Sequence, residues 1–245
     1  MTYIVIFHLG AIFGSYLSLV IARTIRGEST IVPRSHCEMC GKELGVFELI
    51  PIFSYIFQKG RCKNCGARIG GESLLIEIIC GLLALLFLRE GIFLQNILLL
   101  SSIFLGFVIG IIDWKTMDIY QNHLVILLGL GLIYRYLYIG FTKEVLIHIL
   151  VFSLLYFLIY KISGKNIGDG DYYFYICLAL FVKDSDFILF VLGSIWIGAI
   201  AGVVILIKSR MKDRHMPFAI FVFISYLLVM VMNMGGCLWK RRDLL

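Results

Sequence analysis

What most constrains this chain is the length of its uninterrupted apolar runs. They fall at about 3–22, 73–89, 95–112, 123–140, 145–161, 186–208 and 217–234, several of them about 17–22 residues long. A helix needs about 20 apolar residues to cross the ~30 Å hydrocarbon core of a bilayer. A shorter run at 172–182 completes the set. Hydrophobic residues make up 60% of the 245 positions and charged residues only 16%, against about 25% charged in an ordinary soluble domain. The sequence therefore predicts an all-α polytopic membrane protein with about eight transmembrane helices, the sixth being short.

The first run lacks a basic leader, is too long for a secretory h-region, and is followed by Arg23 and Arg26. It reads as an uncleaved span with its N-terminus outside. On that orientation segments 23–72, 113–122, 161–171 and 208–216 face the cytoplasm and hold 8, 1, 2 and 4 of the 22 basic residues. This bias follows the positive-inside rule; the other side receives Arg89, Lys143, Lys183 and the tail Lys240, Arg241 and Arg242, with Arg135 near a span end, and the basic tail counts against the orientation. The net charge of +6 suits anionic headgroups, and no aromatic-interleaved basic patch points to nucleic acid.

Four segments are expected: a first transmembrane helix at 1–22, a cytoplasmic insertion at 23–72, a membrane-embedded core at 73–234 and a tail at 235–245. The insertion contains an internal echo, Cys37-Glu-Met-Cys40-Gly against Cys62-Lys-Asn-Cys65-Gly, with 21 residues between the pairs. Two Cys-x-x-Cys pairs supply four thiolates to one tetrahedral zinc. The following glycines suit knuckles that need positive φ. Metal binding then stabilises a segment with too little core to fold alone. Two disulfides are the competing reading, disfavoured in a reducing compartment. Between the knuckles, Ile50, Pro51, Ile52, Phe53 and Tyr55 are expected to pack on the ribbon or on the membrane surface. Cys80, Cys177 and Cys237 lie in or at the ends of apolar runs and read as small buried hydrophobes.

An ionisable side chain within a span costs roughly 2.5–3.5 kcal/mol on insertion scales, so acids near run ends are informative. They are Glu77, Asp113, Asp118, Asp169 and Asp171, of which Asp113 and Asp171 abut apolar runs most closely. Two facing carboxylates share a proton, so one activates water while the other protonates a carbonyl or leaving amine. The flanking Gly168 and Gly170 permit close approach of backbone and substrate. Taken alone, Gly168-Asp-Gly-Asp171 also fits an ordinary helix-entry turn with Asp as N-cap, or, less well, a calcium loop.

Jointly, these motifs resemble the type IV prepilin peptidases. Phe13-Gly-Ser-Tyr-Leu-Ser18 is similar to that family's opening stretch, Pro33-Arg-Ser-His-Cys37 leads into the first knuckle, and 48–69 follows its pattern to the second. Residues 112–122, "IDWKTMDIYQN", resemble its first aspartate motif, Gly168–Asp171 its GxGD, and Met216-Pro-Phe-Ala219 its Pro-Phe-Gly motif. The resemblance implies an aspartic endopeptidase with Asp113 and Asp171 as catalytic pair. Its substrates would be prepilins or pseudopilins of type IV pilus, secretion or competence systems, cut after glycine at the cytoplasmic face of the bacterial inner membrane. It also implies a structural zinc and a possible second activity, N-methylation from S-adenosylmethionine, with Glu77 orienting substrate or cofactor. The chain departs from the pattern at Ser18 (usually Asn), Tyr120-Gln121 (commonly Pro-Asp), Leu74 (often Pro) and Ala219 (usually Gly). These changes bear on substrate detail and methylation more than on cleavage. The competing functions are a zinc-stabilised transporter or channel with an acidic ion path, and a catalytically silent assembly factor. Neither the particular substrate nor the oligomeric state is written in the sequence.

Overall fold

In a computed structural model that describes residues 2–88, 93–162, 168–209 and 216–242, the chain is helical. Its α-helices are α1 (Thr2–Arg26), α2 (Phe53–Phe57), α3 (Glu72–Phe87), α4 (Phe93–Thr116), α5 (Gln121–Tyr134), α6 (Lys143–Ile162), α7 (Asp169–Ala179), α8 (Phe187–Ser209) and α9 (Ala219–Arg242). A π-helical turn, Arg135–Ile139, continues α5. Among the described residues the only β structure is two isolated bridges, His36–Glu43 and Arg61–Arg68.

Each of the eight apolar runs carries one of the longer helices. Among the described residues, five are long and apolar enough to cross a membrane: α1, α4, α5 with its π turn, α6, and Asp184–Ile205, a 3-10 turn continued by α8. The helices α3, at 16 residues, and α7, at 11, are shorter, as is the apolar part of α9, Ala219–Met234. The protein is a polytopic helical membrane protein. The sixth run differs from the expected 172–182: its helix starts three residues earlier, at Asp169, because Gly168 takes the extended N-cap position (φ −71°, ψ 130°). Asn166 and Ile167, like Arg89, lie outside the described residues.

The chain divides into two compact units, Met1–Leu100 and Ser101–Leu245. In the first, α1 packs along α3. A Cβ on Gly10 would stand 2.5 Å from the Cβ of Ala84, and one on Gly14 2.9 Å from the Cβ of Cys80 and the Cα of Glu77. Small residues four apart on one face let the backbones approach, and dispersion then holds the pair where water supplies no driving force. Arg23, buried at the end of α1, donates to the carbonyls of Ser29, Pro33 and Arg34 at 3.0, 2.6 and 3.4 Å. It thereby fixes the start of the insertion.

In the second unit, α5 packs on α7 and α8 on α9, around Phe174, Leu178, Phe181, Phe190 and Tyr226, all essentially inaccessible. Two buried polar clusters here are paired. Ser102 and Tyr226 hydrogen-bond at 2.7 Å, and the fully buried Arg135 forms an ion pair with Asp184 while donating to the Val182 carbonyl at 3.1 Å. Asp184 also accepts from Thr142 at 2.5 Å. This cluster ties the end of α5 to the chain leaving α7, and a charge so buried persists only with such partners.

Candidate functional site

Two features stand out, one in each unit. In the second unit, α4 ends one turn after Asp113. Met117 adopts a left-handed φ of 59° and donates its N–H to the Asp113 carbonyl at 2.8 Å, which closes the helix. That geometry buries Asp113, 5% exposed, while the neighbouring Trp114 and Asp118 face outward. The buried carboxylate is satisfied by an unexpected donor: Ala219 N–H, the first residue of α9, at 3.0 Å from Oδ2. A helix N-terminus offers free N–H groups and a positive dipole end to a carboxylate.

Asp171 stands in the first turn of α7, its N–H on the Gly168 carbonyl at 3.3 Å. It is half-buried, whereas Asp169 is exposed. Neither aspartate caps the helix with its side chain, so the simple N-cap reading of this motif does not describe it. Asp171 lies within electrostatic reach of Asp113. The approach depends on Gly170, where a Cβ would stand 2.9 Å from the Cβ of Ile119, in the loop that follows Asp113. On the far side, Tyr156 of α6 donates to the Gly168 carbonyl at 2.9 Å and packs on Tyr172 with ring centroids 5.3 Å apart. Phe152 stacks on Tyr172 at 6.2 Å, and Ser153 hydrogen-bonds the Tyr172 hydroxyl at 2.9 Å. The entry to α7 is thus held by an aromatic wall from α6.

In the first unit, the two knuckles repeat one hydrogen-bond pattern at an offset of 25 residues. Cys37 N–H bonds Lys42 O as Cys62 N–H bonds Ala67 O, and Gly41 N–H bonds Cys37 O as Gly66 N–H bonds Cys62 O. Gly41 and Gly66 have φ of 68° and 71°, which an L side chain adopts only with strain. The four sulfurs of Cys37, Cys40, Cys62 and Cys65 lie within 4.8 Å of one another, and Cys37 and Cys65 are 3.9 Å apart. A disulfide needs about 2.05 Å between sulfurs, whereas tetrahedral thiolates about 2.3 Å from a metal are some 3.8 Å apart. The set fits a metal ion.

Its electrostatics agree. N–H donation from Lys42, then from Asn64, lowers the Cys40 thiol to about 6, and backbone N–H groups of Cys65 and Asn64 lower Cys62. The Ala67 N–H acts the same way on Cys65, yet burial and the adjoining thiols push that group up to about 11. Four sulfurs this close can all ionise together only around a cation.

The structure therefore gathers the four cysteines, and it gathers Asp113, Asp171, Gly168 and Gly170. Glu77 belongs to the first unit. It is buried at 7% exposure and accepts the Ile52 N–H at 2.7 Å, anchoring the insertion to α3. Cys80 and Cys177 are buried as expected, and the Cys237 side chain lies outside the described residues. Sequence reasoning missed the contact of Ala219 with Asp113, although the Met216–Ala219 motif marked the place. It also missed Tyr156, which sits unannounced in an apolar run.

An all-α membrane protein with a four-cysteine metal-type insertion and carboxylates at helix ends is the class defined here. Within it, residues 8–90 match the bacterial peptidase A24 N-terminal domain and residues 99–203 the type IV leader peptidase family. The chain belongs to the type IV leader peptidase family, a family of peptidases. Similar proteins include a prepilin leader peptidase/N-methyltransferase of Bacillus subtilis (strain 168), 29% identical over 88% of each chain. Another of that name, from Myxococcus xanthus (strain DK1622), is 26% identical over 83% of this chain and 63% of its own length. The chain thus spans less than two thirds of the Myxococcus relative. A third, from Burkholderia pseudomallei (strain 1026b), is 47% identical over a 53-residue stretch. No solved structure matches.

Proposed function

We propose that this chain is a membrane aspartic endopeptidase that removes the short leader of prepilins or pseudopilins, with Asp113 and Asp171 as its catalytic pair. The observation that carries the reading is the close packing of Gly170, next to Asp171, on Ile119 of the loop that follows Asp113, with Asp113 and Asp171 drawn inward while Asp118 and Asp169 are exposed. In this reading Asp113, which accepts the Ala219 N–H at a helix N-terminus, acts as the base and Asp171 as the acid. Asp113 removes a proton from water as its oxygen attacks the scissile carbonyl, and Asp171 protonates the carbonyl oxygen. Collapse of the gem-diol breaks the C–N bond, the proton held by Asp113 passes to the leaving amine, and a diol hydroxyl returns its proton to Asp171 as the new carboxyl group forms.

The reading further places cleavage after glycine, at the cytoplasmic face of a bacterial inner membrane, consistent with the basic bias of segments 23–72 and 208–216. It assigns a structural zinc to Cys37, Cys40, Cys62 and Cys65, whose donor set is all thiolate. Relatives carrying both activities in their names support N-methylation of the new N-terminus from S-adenosylmethionine as a second step. Gly168 and Gly170 shape the site; Glu77, hydrogen-bonded to Ile52, positions the insertion. The division into a first helix (1–22), insertion (23–72), core (73–234) and tail (235–245) belongs to the same reading.

The test incubates purified protein with a prepilin, with and without S-adenosylmethionine, and reads product masses. Leader removal is expected from the unaltered chain and is lost in Asp113→Asn and Asp171→Asn. Full cleavage by either variant would refute the catalytic pair. A product heavier by one methyl group only when S-adenosylmethionine is present would establish the second activity.

A further inference from the structure

The insertion contains a segment that neither metal binding nor peptide cleavage explains. Residues 46–57, "VFELIPIFSYIF", carry a single charge, Glu48. That charge is internally compensated, since its carboxylate accepts the Gly45 N–H at 2.8 Å and faces Lys42 at 4.0 Å. Yet this apolar stretch does not form a core of its own. Phe47 and Phe57 are 79% and 80% exposed, Val46 73% and Ile56 59%. Together with the half-exposed Ile50 and Phe53, Phe47 and Phe57 border an open apolar groove that ends at Lys63. An exposed apolar surface of this kind marks an interaction site.

Its position says what covers it. Ile52 and Phe53 form the tip of the segment, where the chain reverses through a left-handed Ile52 (φ 66°). A β-branched residue there is strained by about 1–3 kcal/mol, and the buried Glu77 holds it by the 2.7 Å bond from its N–H. Glu77 is five residues into α3, about 7–8 Å along the helix from Glu72. Phe53 stacks on His8 of α1, centroids 5.6 Å apart and planes 11° apart. His8 is fifteen residues, about 22 Å of helix, from the basic end at Arg23. The tip therefore lies beside the apolar bodies of α1 and α3, level with neighbours such as Leu9 and Ile12 that α1 exposes. The chain then returns through Lys59, Arg61, Lys63 and Arg68, a run with no acidic residue.

We propose that residues 46–57 are a re-entrant segment embedded in the hydrocarbon core of the bilayer, with lipid acyl chains covering Phe47, Ile56 and Phe57. The basic return run lies at the level of anionic headgroups. The surface is continuous with the outward apolar face of a membrane-spanning helix, so the same solvent covers both. Apolar side chains sunk beneath a cationic rim are the pattern of interfacial segments. Non-helical backbone at that depth is tolerated because its polar groups are satisfied within the protein, as the Ile52 N–H is by Glu77. The four-cysteine insertion is in this way split, its knuckles at the aqueous surface and its middle in lipid.

The experiment reconstitutes the full chain, with Trp114, Trp196 and Trp239 changed to Phe, into nanodiscs whose lipids are brominated on the acyl chains. Phe47→Trp and Phe57→Trp are compared with Met39→Trp in the first knuckle, and metal content verifies that each insertion is folded. Expected is blue-shifted emission at 47 and 57, most of it lost to brominated lipid and little to aqueous iodide, with the reverse at 39. In the unaltered chain, phospholipids bearing an acyl-chain diazirine are expected to label peptides covering 46–57. Quenching at 47 and 57 by iodide would overturn the proposal in favour of a water-exposed surface. Protection from both quenchers, or absence of lipid adducts in 46–57, would overturn it in favour of a protein partner.

Discussion

Replacing Gly170 with alanine probes the candidate site at the contact on which it depends. Gly170 has an ordinary helical environment in the first turn of α7, so the substitution should favour the helix by up to about 1 kcal/mol. Against this, the added Cβ would sit 2.9 Å from the Cβ of Ile119 and 3.3 Å from its Cγ1 and Cδ1. Carbon atoms without strain stand about 3.5–4.0 Å apart. The loop after Asp113 and the entry to α7 must therefore separate by roughly 0.6–1 Å, and such overpacking costs about 1–3 kcal/mol. The first term offsets only part of the second, leaving a net stability cost of up to about 2 kcal/mol, whereas in catalysis a displacement of about 1 Å costs on the order of 100-fold. Gly170→Ala is thus expected to melt within a few degrees of the unaltered protein while prepilin cleavage falls about 10–100-fold. Ile119→Ala removes the contacts at 3.3 Å and keeps the one at 2.9 Å, so the double variant should recover part of the loss. Cleavage by Gly170→Ala at the full rate would refute the claim that this approach sets the geometry of the two carboxylates. A loss of rate matched by a comparable loss of folded protein would reduce the effect to stability.

Three further outcomes follow from other parts of the structure. Removing the partner of a fully buried arginine leaves an uncompensated charge, so Asp184→Ala should cost about 3–5 kcal/mol, read as a lower denaturation midpoint in detergent. An unchanged midpoint would contradict the assigned burial of Arg135. The Cys40 thiol is held at about 6, a depressed value whose contribution is present at higher pH and disappears as pH falls through it. One metal per chain should therefore persist at pH 7.5 and be released on acidification, as protons compete for the thiolates, measured with a chromogenic chelator. Release at neutral pH would argue against the four-thiolate site. Glu77→Leu strands the Ile52 N–H, at a cost of about 1–3 kcal/mol, and should raise protease sensitivity between the knuckles, whereas Glu77→Gln keeps an acceptor and should not. Equal behaviour of the two variants would remove Glu77 from its anchoring role.

Much of this architecture was legible in the amino-acid order. Apolar runs declare helices because a membrane leaves a backbone no other way to satisfy its own hydrogen bonds. All eight runs carry helices whose ends fall within a few residues of expectation, apart from the eight-residue extension of the last, from Met234 to Arg242. The Cys-x-x-Cys-Gly echo declares its knuckles because ligand spacing and the positive φ of Gly41 and Gly66 are properties of five consecutive residues. The costliest charges, Asp113 and Asp171, could be picked out because they interrupt or adjoin apolar sequence.

Partnership between distant positions was not legible. The donor to Asp113 is the backbone of Ala219, 106 residues away, and a backbone N–H has no letter in the sequence. Glu77 pairs with Ile52 across 25 residues and Arg135 with Asp184 across 49. Both are stabilised by burial that only packing creates. The sequence by itself determined the membrane class, the thiolate cluster and the two aspartates worth watching. Tertiary structure alone decided which carboxylate is buried, what satisfies it, how closely α7 approaches the loop at Ile119, and where the apolar middle of the insertion comes to rest. The division is physical: helix formation and knuckle geometry are settled within a few residues of chain. A buried charge is settled by whatever distant group the fold brings to it.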